Sequence, residues 1–218
     1  MLILKYSVCA LMSYVIGCIN PSYIIARIKG FDIRKSGSGN AGASNAVITM
    51  GKVIGIFSAL FDIFKTCLAI FLTKRFFDLP YDGFAVAAVF CSLGHIFPVF
   101  MKFKGGKGLA CLGGTILMYS WKAFLVGFVC AIVLVLITDY ICTVSIVAPV
   151  IFTVYYTIIT SDIFGGLLFA VMSAVMFIRH IENLRHIKQN TEMRLSYLWN
   201  PEEERNRIID NSKENDNN

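Results

Sequence analysis

Apolar and polar residues fall in long blocks along this chain, with apolar runs at residues 6–26, 53–73, 84–100, 109–138, 143–160 and 163–178 parted by short polar loops. A helix needs roughly 20 such residues to cross the hydrocarbon core of a bilayer, so the runs predict transmembrane helices. The fourth is too long for one untilted crossing. It is interrupted at Ser120, Trp121 and Lys122, an aromatic-plus-cation pairing suited to a membrane interface, and either a tight hairpin of two short helices or one steeply tilted helix fits the run itself.

Charge decides between them. With a hairpin there are seven spans, and the basic loops around Arg34, Lys52, Lys104, Lys107, Arg179 and Arg194 share one side, leaving Lys5, Lys74, Arg75 and Lys122 on the other. With a single span the positive-inside bias is lost. The expected fold is therefore an all-α integral membrane protein of seven transmembrane helices, N-terminus outside and C-terminus cytoplasmic. Residues 1–17 look superficially like a signal peptide. The apolar run continues to Ala26 with no small-x-small cleavage site, so they are read as an uncleaved first span. Residues 1–198 form the expected membrane domain, and residues 199–218, rich in Asn and Glu, are expected to be a disordered cytoplasmic tail.

Composition agrees with a membrane class. Of 218 residues, 56% are hydrophobic and 16% charged, against roughly 45–50% apolar in soluble domains. The seven cysteines lie in or beside apolar runs without CxxC spacing, which reads as small core residues, with neither a disulfide frame nor a metal site. A net charge of +6 could attract nucleic acid, but the basic residues sit in short inter-helix loops, where topology and anionic substrates account for them and nucleic acid is not a partner.

Three polar segments ask for an anion. Ser36 to Asn45 reads SGSGNAGASN. It matches GxGxxG formally at Gly37, Gly39 and Gly42, but a membrane helix and a basic linker precede it where a dinucleotide site needs a strand. Its glycines free the backbone to turn N–H groups toward one point, and Ser38, Asn40 and Ser44 add polar donors suited to phosphate. A polar turn capping the next helix is the alternative. The second segment, GHIFPVFMKFKGGKG from Gly94 to Gly108, places Lys102, Lys104 and Lys107 around the Gly105–Gly106 turn at a helix N-terminus, where charge, backbone and dipole all favour an anion. The third, RHIEN from Arg179 to Asn183, sets His180 and Asn183 three residues apart, on one face if the helix continues. Within the second run Asp62 and Lys65 are also three apart and should face the bundle interior, as an ion pair or part of an ion path.

These three segments, in this order and with Glu192 nine residues after Asn183, resemble the bacterial acyl-phosphate:glycerol-3-phosphate acyltransferase family, the PlsY family, from the first span to about Leu195. The resemblance implies a fatty acyl group passing from acyl phosphate to the 1-hydroxyl of glycerol 3-phosphate, giving lysophosphatidate and phosphate in phospholipid synthesis. It implies no cofactor, a site on the cytoplasmic face of the bacterial plasma (inner) membrane, the lipid bilayer as partner, and other phospholipid-synthesis enzymes as possible partners. By the same resemblance Ser38, Lys107, His180 and Asn183 are catalytic, and Gly37, Gly39, Asn40, Lys104, Gly105, Gly106, Gly108 and Ser145 bind substrate. Glu192 keeps its loop in shape. There is no HxxxxD pair of the kind other glycerolipid acyltransferases use, since Phe100 and Arg185 stand five places after His95 and His180. A mixed anhydride is already activated, so positioning and charge can supply most of the acceleration.

The chain departs from the family pattern at Ile48, where an arginine is expected, and at Ile181, His186, Asn190 and Cys142. These departures motivate a second reading, a catalytically weakened relative that binds phospholipid precursors or a partner enzyme. A third, an anion transporter using Asp62 and Lys65, conflicts with polar segments that all fall on one side.

Overall fold

In the computed structural model, which describes residues 1–80 and 82–216, all regular structure is helical and no strand occurs among the described residues. The helices are α1 (Leu2–Gly17), α2 (Pro21–Ile28), α3 (Ala43–Met50), α4 (Lys52–Phe76), α5 (Asp82–Ile96), α6 (Leu109–Tyr119), α7 (Trp121–Thr138), α8 (Cys142–Thr160), α9 (Ile163–Lys188) and α10 (Pro201–Asp216). Among the described residues five helical stretches are long and apolar enough to cross a membrane, and α1 with α2, bent by 41°, makes a sixth if the pair is one span. The all-α fold with helices of membrane length is the class expected.

Breaks in the apolar runs have local causes. The first run divides because Asn20 turns extended, its side chain accepting the Tyr23 N–H at 2.9 Å, while Pro21 opens α2 as proline does at a first helical position. The long fourth run divides at Ser120, whose extended backbone ends α6 and whose hydroxyl caps α7 through Ala123 N. The run is thus two helices, α6 and α7, parted at the position where its polar interruption stands. Asp162 starts α9 by accepting from Gly165 N and fixes it to α8 by accepting from Tyr156 Oη at 2.7 Å.

Helix α5 is the axis of the bundle, with 72% of its apolar window buried, whereas the window of α7 has no buried residue. With lipid as apolar as leucine, close helix approach relies on small residues. A Cβ on Gly17 would stand 2.0 Å from Cys91 O, and one on Gly94 would stand 2.1 Å from Tyr14 O, so two glycines let α1 and α5 meet backbone to backbone. At the end of the bundle away from the basic loops, Phe84, Tyr119, Phe152, Tyr156 and Phe169 interlock, with Tyr156 and Phe169 centroids 4.9 Å apart.

The interior also holds charge. Asp62 and Lys65 are 2% and 1% exposed and form a 2.7 Å ion pair. The bundle-facing position expected for them is observed, with His95 of α5 as a third member, its Nδ1 3.0 Å from Lys65 Nζ and 3.3 Å from Asp62 Oδ1.

One expectation is corrected. The segment after Trp199, read from its composition as unstructured, is helical from Pro201 to Asp216. Proline at the first position and Glu202, Glu203 and Glu204 in the first turn suit a helix N-terminus, and polar contacts to the preceding loop hold it, as Arg207 donating to Glu192 O at 2.6 Å illustrates.

Candidate active site

The second polar segment is shaped by His95. After α5 the chain turns through Val99–Met101, passes Lys102 and Phe103 with φ of 54° and 58°, and folds back so that Gly105 N donates to Ile96 O at 3.0 Å and Gly106 N to His95 O at 3.1 Å. A Cβ on Gly106 would lie 2.1 Å from His95 Nε2, and one on Gly105 would lie 2.1 Å from His95 O. The two glycines thus serve close packing onto the buried histidine, and their N–H groups are committed to that fold-back. Lys104 is exposed on the turn, while Gly108, at φ 95°, starts α6.

Lys107 emerges from this turn toward α9. Its Nζ donates to Asn183 Oδ1 at 2.5 Å, and Asn183 Nδ2 donates to Glu192 Oε1 at 2.6 Å. Helix α9 runs on past the apolar stretch to Lys188, so His180 and Asn183 do lie on one continuing helix. Burial holds the Lys107 ammonium below the ordinary lysine value, Glu192 opposes that shift, and Arg179 adds to it. His180 is 3% exposed, with Nδ1 2.7 Å from Met176 O. A carbonyl can only accept, so Nδ1 carries a proton, and the neutral ring keeps a lone pair at Nε2. Ser145 is buried one turn into α8, near Cys142, which lies in electrostatic range of Lys107.

The first polar segment is built around Asn45. This fully buried side chain accepts from Ser38 N at 2.9 Å and reaches the carbonyls of Ile33, Ser36 and Asn40 through Nδ2 at 2.9, 2.9 and 2.7 Å. Gly37 has φ 58°, and a Cβ there would meet Asn45 Oδ1 at 2.2 Å. Gly39 N is taken by Ser36 O at 3.1 Å. The N–H groups of Ser38 and Gly39 are therefore spent inside the loop, while the Ser38 and Ser44 side chains are exposed and Asn40 is partly so. Arg34 joins the two loops by donating to Met101 O at 2.7 Å, and its bidentate pairing with Asp32 pulls that carboxyl down to about 2. Arg34 is thus committed to structure. Ile48 lines a cavity of about 550 Å³ with Lys52, Tyr197 and Arg205.

The structure joins Lys107, Asn183 and Glu192 directly and places His180 one turn before Asn183; among the described residues no bond links Ser38 to that line. Three participants carried no role in the sequence reading. Asn45 and His95 stood inside the quoted segments, but their partners are set by loop folding. Arg179 also stood in a quoted segment, and its Nε is buried without a hydrogen-bond partner while its guanidinium lies over the Phe97 ring at 5.9 Å. Asp62, His95 and Cys111 converge to within 4.8 Å as possible metal donors, yet the Lys65 ammonium already supplies positive charge among them.

Comparison with known proteins bears on this arrangement. The family model for glycerol-3-phosphate acyltransferase matches residues 7–190. The chain is 34% identical over 206 residues to glycerol-3-phosphate acyltransferase 1 of Oceanobacillus iheyensis, covering 89% of this chain and 97% of that protein. It is 34% identical over 190 residues to the glycerol-3-phosphate acyltransferase of Bacillus subtilis, covering 86% and 96%. Among solved structures, it is similar to PlsY, an integral membrane glycerol 3-phosphate acyltransferase. The glycerol 3-phosphate form matches with TM-score 0.81 at 27% identity over 88% of this chain and 96% of that one, and the lysophosphatidic acid form with TM-score 0.76 over 87% and 94%. The chain belongs to the glycerol-3-phosphate acyltransferase family.

Proposed function

We propose that the protein transfers a fatty acyl group from an acyl phosphate to the 1-hydroxyl of glycerol 3-phosphate, releasing lysophosphatidate and inorganic phosphate, at the cytoplasmic face of a bacterial plasma membrane. Family membership supports acyl transfer to glycerol 3-phosphate. The observation that carries the site assignment is the Lys107–Asn183–Glu192 line, which aims a half-buried ammonium from the start of α6 across to α9.

The chemistry follows from those groups. The hydroxyl oxygen attacks the acyl carbon, an ester C–O bond forms, the bond from that carbon to the phosphate oxygen breaks, and the hydroxyl proton leaves with the phosphate. His180 Nε2 accepts the hydrogen bond of the attacking hydroxyl and orients it. Lys107 and Arg179 face the phosphate oxygens in a site poor in water, where fixed charge stabilises the developing negative charge more than in bulk solvent. Ser38 adds a hydroxyl donor.

In this reading the bent α1–α2 pair, α4, α5, α6, α7, α8 and α9 are seven spans, with the N-terminus outside. The 11 residues of α6 rise only about 16 Å at 1.5 Å each, against roughly 30 Å of hydrocarbon. Lys107, at its start, therefore lies below the membrane surface, at the depth where the headgroup of a lipid-borne acyl phosphate can enter sideways while soluble glycerol 3-phosphate enters from the cytoplasm.

Purified protein given palmitoyl phosphate and glycerol 3-phosphate should release phosphate only when both are present. Release that ignores glycerol 3-phosphate would indicate hydrolysis, and no release from folded protein would favour a relative that binds without turnover.

A further inference from the structure

We infer that α10, which lies beyond the residues matched by the family model, belongs to the catalytic apparatus, with Arg207 as a positioning residue for the Lys107–Asn183–Glu192 line. The inference rests on the acyltransferase reading of that line.

Glu192 sits in the loop after α9, and something must hold that loop for its carboxylate to hold Asn183. Part of the answer lies in the end of α9, where Asn190 N donates to Ile187 O at 3.0 Å and both Thr191 N and Glu192 N donate to His186 O, at 2.8 and 3.1 Å. These bonds use the N–H side of the loop. Its carbonyl side turns to α10, where Arg207 donates through Nη1 to Asn190 O and through Nη2 to Glu192 O at 2.6 Å. Asn211 Nδ2 also donates to Asn190 O, at 3.0 Å.

Arg207 is itself fixed. Glu204, one turn earlier on α10 and 4% exposed, accepts from Arg207 Nε at 2.9 Å and from Nη2 at 2.5 Å, and its Oε1 also accepts Arg194 N at 2.8 Å. Residues 190, 192 and 194 are thus tied to three side chains of α10, Glu204, Arg207 and Asn211. Burial raises the Glu204 carboxyl, but bonds from Arg207 and Arg194 outweigh it and keep it below its ordinary value.

Helix α10 has little apolar surface to dock by, since its first turn is Glu202, Glu203 and Glu204 and its Ile209 is 50% exposed. These polar ties converge on the segment carrying Glu192. The path from Arg207 runs through the Glu192 backbone to its carboxylate, to Asn183, and to the Lys107 ammonium. A guanidinium spans two carbonyls in one plane with fixed geometry, which an ammonium cannot reproduce. Releasing it lets Glu192 drift and loosens the aim of Lys107.

The test uses full-length protein carrying Arg207→Ala, Arg207→Lys, Glu192→Ala, and Arg207→Ala with Glu192→Ala. Misplacing a catalytic group can cost up to about a hundredfold, so Arg207→Ala is expected to lower kcat by about tenfold, with Arg207→Lys between it and wild type and the melting temperature unchanged. In the Glu192→Ala background Arg207→Ala should add nothing further, because there is no carboxylate left to hold. Hydrogen exchange of residues 190–194 should quicken in Arg207→Ala while the spans stay protected. Wild-type kcat in Arg207→Ala, or losses that multiply in the double variant, would overturn the inference. If Arg207→Ala lowers the melting temperature, Glu204→Gln replaces it under the same criteria. Absence of turnover in the wild type counts against the acyltransferase reading; unchanged exchange at 190–194 counts against the clamp.

Discussion

Asp62, Lys65 and His95 form a closed group, whereas Lys107, Asn183 and Glu192 form an open one. In the first, the ammonium donates to Ile19 O at 2.7 Å and is enclosed by Asp62 Oδ1, its ion-pair partner at 2.7 Å, and His95 Nδ1 at 3.0 Å, and all three side chains are at most 3% exposed. Its charge is paired inside the protein with the Asp62 carboxylate. Lys107 makes one hydrogen bond among the described residues, to Asn183. It keeps two donors for phosphate oxygens. The two clusters differ in whether the cation's charge is already paired inside the protein, and on that ground the open group is the one proposed for chemistry.

The largest expected effect breaks the open group. In the proposed mechanism Lys107→Ala removes the cation that faces developing charge, and losses for such groups are about 10²–10³ in kcat. Phosphate release at saturating substrates measures it, with the melting temperature within error of wild type. In the closed group, Lys65→Ala removes the nearer partner of the Asp62 carboxylate and leaves His95 Nδ1 at 3.3 Å, with a cost of up to about 2.5–3.5 kcal/mol, that of a charge at a helix centre. The loss should appear in thermal unfolding in detergent, and turnover per folded molecule should fall far less than in Lys107→Ala. Equal losses of turnover in the two variants would erase the distinction.

Gly106 is where the groups touch. Gly106→Ala drives a Cβ to 2.1 Å from His95 Nε2, and overpacking of this kind costs about 1–3 kcal/mol through shifts in side chain or backbone. The backbone beside Lys107 is what can move, so kcat/KM for glycerol 3-phosphate should drop by about tenfold or more with a smaller change in melting temperature than in Lys65→Ala.

How much of this was legible in the sequence follows from the range of each interaction. Apolar runs fixed where helices lie, because burial in lipid acts residue by residue, and Ser120 marked the break in the long run. His180 and Asn183 could be paired by spacing because they share one helix, and so could Asp62 and Lys65. His95 could not be assigned to Asp62 and Lys65, since nothing in spacing says which faces of α4 and α5 meet. Spacing also gave no hint that Gly37 packs on Asn45, or Gly105 and Gly106 on His95, because these are contacts of folded loops. Composition misread α10 for the same reason: its order comes from the Glu204 and Arg207 contacts with the Glu192 loop, and an average over residues 199–218 carries no trace of them.

The smallest effect sharpens the comparison by changing charge alone. Glu192→Gln keeps an oxygen that can accept from Asn183 Nδ2, so the geometry of the line should survive and kcat/KM near neutral pH should fall by about tenfold or less. Its pH dependence carries the information. In the proposed mechanism Lys107 acts as an ammonium, so activity should be lost as pH rises through its pKa, which burial already holds below the ordinary lysine value of about 10.4. Glu192 opposes that shift. Removing its charge lowers the Lys107 pKa further, and the alkaline limb of the kcat/KM profile, which reports the free enzyme, should move to lower pH. Asp62→Asn, beside a lysine buried among Asp62, His95 and Ile19 O, should leave that limb where it is; a limb that stays fixed in Glu192→Gln would mean that the ammonium titrating with activity is not Lys107.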